Sequence, residues 1–75
     1  MRREKLYSRR KLFKLTHAKL AEMAGIDRTA YTRIECGNRN PSVDTAIKIA
    51  QALGCTVEDI FLPSDVTKEH NTNSV

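Results

Sequence analysis

Residues 16–41 read T-H-A-K-L-A-E-M-A-G-I-D-R-T-A-Y-T-R-I-E-C-G-N-R-N-P, and this stretch decides the fold. It divides into two short helical patterns hinged at Ala24-Gly25-Ile26. Leu20, Ala21 and Ala24 fall on one side of the first pattern, Tyr31 and Ile34 on one side of the second, so each helix has an apolar seam for the other. The small Ala21 lets the two backbones approach closely. Gly25 stands where the chain must turn sharply, which calls for a positive φ, and Ile26 follows as the apolar anchor that sets the angle between the helices. Asp27 is placed to cap the second helix. The layout is a helix-turn-helix spanning residues 17–36.

Working outward, the spacing predicts an all-α chain of five helices. The first covers about residues 2–13, with Leu6, Arg10 and Phe13 on one face, and Thr16 is the N-cap of the second, 17–24. The third runs 28–36 and stops at Gly37, and Asn38-Arg39-Asn40-Pro41 is turn chemistry. Ser42 caps a fourth helix, 43–53, whose positions Val43, Ala46, Ile47, Ala50 and Leu53 keep helical spacing until Gly54 ends it. Thr56 opens a fifth, with Asp59 completing a capping-box-like start before Ile60 and Phe61. Residues 63–75 are polar and aperiodic, which predicts a disordered tail behind one folded unit over 1–62.

Composition narrows the chemistry. A chain of 75 residues holds one domain. It buries only about 60% of the surface that its unfolded form exposes, which leaves little room for an enclosed active site and makes oligomerisation useful. The net charge of +4 is one-sided: residues 1–39 carry +7 and residues 40–75 carry −3. The basic half contains the helix-turn-helix, as a polyanion partner requires. Cys36 and Cys55 lie in no C-x-x-C pair and have no ligand spacing to His17 or His70, so neither a disulfide framework nor a metal site is expected. Both read as thiols of a reducing compartment, Cys36 partly exposed and Cys55 buried. No apolar run is long enough for a signal segment or a membrane span, which points to the cytoplasm. Paired carboxylates, a phosphate-binding glycine loop and a metal cluster are all missing from the sequence, so an enzyme is not expected, and neither is a cofactor or a small-molecule ligand.

The third helix carries the candidate chemistry. With Tyr31, Ile34 and Glu35 inward, a 100° step per residue puts Thr29, Thr32, Arg33 and Cys36 outward and Arg28 at the exposed first turn. Arginine bonds O6 and N7 of guanine together, and threonine bonds a base edge or covers a thymine methyl. Arg28, Thr29, Thr32 and Arg33 are therefore the candidate base readers. Thr16, His17 and Lys19 sit at the N-terminus of the second helix, where free N–H groups and the helix dipole attract an anion, and are candidate phosphate contacts. Tyr31 reads as core with its hydroxyl at the rim, and Met23 as peripheral packing.

Leu20-Ala21, Gly25-Ile26, Arg33-Ile34-Glu35, Gly37, Asn40-Pro41-Ser42 and Ala52-Leu53-Gly54 occur together in register. With them the chain resembles the phage-repressor-like regulators, those similar to Cro and the lambdoid repressors, from about Leu6 to Phe61. The resemblance implies a five-helix lambda-repressor-like domain whose third helix meets base edges of double-stranded DNA. It implies that the loop of Asn38, Arg39 and Asn40 lies along a DNA strand. It also implies that Arg10 and Glu35 form a partly buried ion pair, and that the C-terminal region with Val57, Ile60, Phe61 and Leu62 pairs two subunits. A bacterial or phage repressor or autoregulator on an inverted-repeat operator is the function expected of such a chain. An antitoxin or bridging protein-interaction module with the same fold is the alternative. The chain departs from the family pattern at His17, where glutamine is usual, at Lys19, and at Cys36, where asparagine is usual.

Overall fold

In the computed structural model, which describes residues 2–67, the helices are α1 (Glu4–Leu12), α2 (His17–Ala24), α3 (Arg28–Glu35), α4 (Val43–Ala52) and α5 (Val57–Ile60), followed by a 3-10 turn at Pro63–Asp65. Each start has a local cause. Thr16 Oγ1 accepts from the Lys19 amide at 3.0 Å, Asp27 Oδ2 from Thr29 and Ala30, and Ser42 Oγ from Thr45, so the first free N–H groups of α2, α3 and α4 are partly satisfied by side chains. At α5 the Asp59 carboxylate accepts from the Thr56 amide at 3.0 Å. Gly25 ends α2 at φ 72°, and the Ile26 amide bonds back to the Ala21 carbonyl at 2.9 Å, which is how the hinge is closed.

The helices enclose one core. α2 packs on α3 and α4, α4 on α5, and α5 on α1. Leu6, Leu20, Tyr31, Ile34, Ile49 and Leu53 are fully enclosed at its centre. Burying a large apolar side chain of this kind contributes about 1.5–3 kcal/mol each.

Four sequence expectations are corrected by the packing. The first helix stops at Leu12 rather than continuing through 13, because Lys14 takes a left-handed φ of 57°. Phe13, at the C-cap, is 49% exposed, and after the Lys14 turn Leu15 packs against the core instead. On α4 the buried stripe uses Ile49, and Ile47 is 41% exposed. Both isoleucines fit a helical repeat with Ala46, Ala50 and Leu53, and the docking of α4 between α2 and α5 chooses between them. Cys55 is half-buried rather than buried, as is Cys36.

The fourth concerns the segment read as a tail. Residues 63–67 are structured: the Asp65 carboxylate accepts from the Leu62 amide, Val66 packs on the core, and the Thr67 amide bonds to the Pro41 carbonyl at 2.8 Å in a parallel bridge with Ser42. A single proline-led turn has no periodicity, so pattern reading misses it. Residues 68–75 lie outside the described residues.

Candidate nucleic-acid interface

α3 offers a mixed row of side chains. Arg28, Thr29 and Arg33 are exposed, whereas Tyr31, Ile34 and Glu35 are buried against the rest of the domain. None of Arg28, Arg33 or Arg39 is paired with a carboxylate among the described residues. Their guanidinium groups are thus available as fork-shaped donors to an anion or a guanine edge. Thr32 differs. It is half-buried, and its Oγ1 lies 2.9 Å from His17 Nδ1.

His17 is also turned inward, which corrects its assignment as a phosphate contact. Its second ring nitrogen, Nε2, lies 3.2 Å from Glu35 Oε2, and the ring stands edge-on to Tyr31 at 5.4 Å between centroids. Both nitrogens therefore have protein partners. The cause is the depth of Glu35: a carboxylate with a 3% exposed side chain draws in every donor within reach.

Around Glu35 the structure assembles four donors. Arg10 Nε and Nη2 donate to its two oxygens at 2.8 and 3.0 Å, Tyr31 Oη donates to Oε1, and His17 faces Oε2. Burial alone pushes the Glu35 carboxyl upward, but the hydrogen bonds from Arg10 and Tyr31 and the Arg10 charge outweigh it and hold it below its ordinary value. The hydrogen bond to Glu35 raises the Arg10 pKa despite burial. Tyr31 is raised mainly by burial, then by Glu35, so its phenol is neutral. Its hydroxyl sits inside this cluster rather than at the rim. Arg10 Nη1 also donates to the Leu15 carbonyl at 2.6 Å, tying the turn after α1 to the same group. The network fixes α1, α2 and α3 against one another and so sets the attitude of α3.

The flanks hold the remaining candidates. Thr16 caps α2 through its oxygen, which leaves its hydroxyl hydrogen free to donate outward. Lys19 is exposed and lies 3.7 Å from Glu22 in a surface pair of little energetic weight. In the loop after α3, Asn38, Arg39 and Asn40 are exposed. The amides of Asn38 and Arg39 both bond to the Arg33 carbonyl, at 2.9 and 3.2 Å, folding the loop onto the end of the helix. Asn40 Oδ1 accepts from Arg3 Nη2 at 2.6 Å, a bond that fixes its amide and does not occupy the donors of its Nδ2 amino group.

Arg3 is the residue that sequence reasoning missed. Its Nη1 donates to the Ile34 carbonyl and, at 3.0 Å, to the Arg39 carbonyl, while its backbone amide donates to the Glu35 carbonyl at 2.7 Å. Arg3 thus holds the end of α3 through both its amide and its guanidinium, and pins the loop after it. It sits outside any motif, more than thirty residues from its partners, and nothing in a local pattern signals it.

The residues expected to pair subunits separate into two groups. Ile60 and Phe61 are each 2% exposed and belong to the core of the protomer, which corrects the expectation that Phe61 is a surface residue. The Arg3 guanidinium lies 5.8 Å above the Phe61 ring. Leu62 is 55% exposed and Val57 is half-buried, and the two line an apolar groove with Pro63 and Val66.

Comparison with known proteins matches this geometry. The Helix-turn-helix family model covers residues 6–60. An uncharacterized HTH-type transcriptional regulator of Methanocaldococcus jannaschii is 40% identical over 63 residues, 84% of this chain and 96% of that protein. The cryptic phage CTXphi transcriptional repressor RstR of Vibrio cholerae is 33% identical over 58 residues, 77% of this chain, which spans about half (52%) of the repressor. The crystal structure of the restriction-modification controller protein C.AhdI from Aeromonas hydrophila superposes with a TM-score of 0.74 at 31% identity, covering 77% of this chain and 88% of that one. With the family model spanning most of its length and the helix-turn-helix in place, this chain belongs to the helix-turn-helix family of Cro/C1-type transcriptional regulators.

Proposed function

We propose that the protein is a sequence-specific DNA-binding regulator that acts as a symmetric dimer in the cytoplasm, repressing transcription or controlling its own by occupying an inverted-repeat operator. The observation that carries this reading is the row of Arg28, Thr29 and Arg33 on the exposed side of α3, with guanidinium groups unpaired among the described residues and the basic half of the chain around them. Arg33 and Arg28 bond guanine edges in the major groove, and Thr29 and the half-buried Thr32 meet neighbouring bases. Thr16, Lys19, Asn38 and Arg39 bond phosphates on either side, and Asn40, held by Arg3, shapes the loop that does so.

Leu62 and Val57, with the groove beside them, form the centre of the subunit interface. Two-fold pairing there sets the two α3 helices in successive major grooves, about 34–36 Å apart. A short domain acting by occupancy agrees with the repressor and controller roles named for the relatives. Selection of bound duplexes from a random pool is the test. Enrichment of an inverted repeat with half-sites about 10–10.5 base pairs apart supports the reading, and a pool that stays random refutes it.

A further inference from the structure

The hydrogen-bond chain Glu35–His17–Thr32 leaves the recognition helix with a side chain whose donor or acceptor character is not fixed by its own chemistry. Glu35 is an ionised carboxylate and accepts only, so His17 Nε2, 3.2 Å away, must carry a proton. If the ring is neutral, Nδ1 is then a bare acceptor, and the Thr32 hydroxyl, 2.9 Å from it, has to donate inward. Thr32 in that state offers DNA only lone pairs, which suit the amino groups of adenine or cytosine. If the ring takes up a second proton, Nδ1–H donates to Thr32 Oγ1. The hydroxyl hydrogen is released, and Thr32 becomes a donor, suited to guanine O6 or N7, thymine O4 or a phosphate.

We infer that His17 is a positioning residue that sets, through its proton, which base edge Thr32 reads, and that DNA binding takes up a proton at His17. The inference rests on the DNA-reading function proposed above. The ring lies where such coupling is possible. Its side chain is 29% exposed, so solvent protons reach it, and although the positive N-terminal end of α2 opposes a second proton, a docked polyanion favours the charged form. The charged or titratable groups facing it are Glu35 and Tyr31 of α3 and, through Glu35, Arg10 of α1. Arg10 opposes the second proton, Glu35 favours it, and neutral Tyr31 is silent in charge.

The experiment uses the full chain and the duplex enriched from a random pool, with selection repeated at about pH 6 and about pH 8.5. Titration calorimetry in buffers of different ionisation enthalpy counts the protons taken up on binding. His17→Gln is the decisive variant, because its amide donates to Glu35 and its carbonyl accepts from Thr32, reproducing the neutral ring at every pH. Thr32→Val is the second variant and keeps the shape without the hydroxyl. For the wild type we expect affinity to fall with rising pH by up to about tenfold per unit and one base position per half-site to change preference with pH. His17→Gln should lose both effects, and Thr32→Val should lose the change of base preference while keeping proton uptake. Equal pH slopes for wild type and His17→Gln, or a base preference that ignores pH in the wild type, overturns the inference while leaving DNA reading intact. Failure of any duplex to enrich at either pH removes the reading on which it rests.

Discussion

Replacing Glu35 by alanine tests the network that orients α3. The substitution removes the acceptor for two Arg10 donors, the Tyr31 hydroxyl and His17 at once. Arg10, with a side chain 9% exposed, is left as a buried cation with only the Leu15 carbonyl. Breaking a buried pair from one side costs about 3–5 kcal/mol, out of a total stability of roughly 4–11 kcal/mol for a domain of this length. At ~4–8 °C per kcal/mol that is a fall in Tm of about 12–40 °C, readable by circular dichroism. Glu22→Ala, which removes a carboxylate with a side chain 74% exposed, is the control and should shift Tm by no more than a few degrees.

The same network has a pH signature. The Glu35 pKa is lowered in the folded state from an ordinary 4.5, so its ionisation contributes stability that is fully present above pH 4.5 and lost as pH falls below it. The gap in stability between wild type and Glu35→Gln should therefore narrow below pH 4.5. Equal melting temperatures for Glu35→Ala and Glu22→Ala, or a gap that stays constant in acid, would refute the account.

Three further outcomes follow from the same geometry. Arg33→Ala should weaken binding to the preferred duplex by ~1–3 kcal/mol and flatten preference at one base position, whereas Arg39→Ala should weaken all duplexes alike and reduce the salt slope by about one; fluorescence anisotropy on specific and random duplexes at several salt concentrations separates them. Lys14→Gly should raise stability by up to ~1 kcal/mol in a thermal melt, since Lys14 holds a φ of 57° that glycine adopts without cost, and a fall in Tm would show that the side chain stabilises the turn. Leu62→Glu should give a folded monomer in sedimentation with weakened operator binding, while Phe61→Glu, at a site 2% exposed, should not fold at all; a folded Phe61→Glu protein would contradict its place in the core.

Much of this protein was legible in its residues because the information is local. The caps Thr16, Asp27 and Ser42 and the hinge at Gly25 act within a turn of their own position, and their geometry is where the spacing put it. The seams of Leu20, Ala21 and Ala24 and of Tyr31 and Ile34 are buried as their periodicity required. The exposed row of Arg28, Thr29 and Arg33 follows from the same 100° step once the inward face is known.

What tertiary structure alone decided are choices among residues that local physics leaves equivalent. Ile49 rather than Ile47 enters the core, and Phe61 is absorbed while Leu62 is left outside, because neighbouring helices supply or withhold a place for each. His17 turns from solvent to Glu35, and Arg3 reaches across more than thirty residues to pin the loop at Asn40, because a buried carboxylate and the open carbonyls of a helix end draw in donors that distance along the chain does not rank. Periodicity encodes which face of a helix is apolar, whereas the pairing of polar groups depends on which helix ends meet, and that is set only when the core closes.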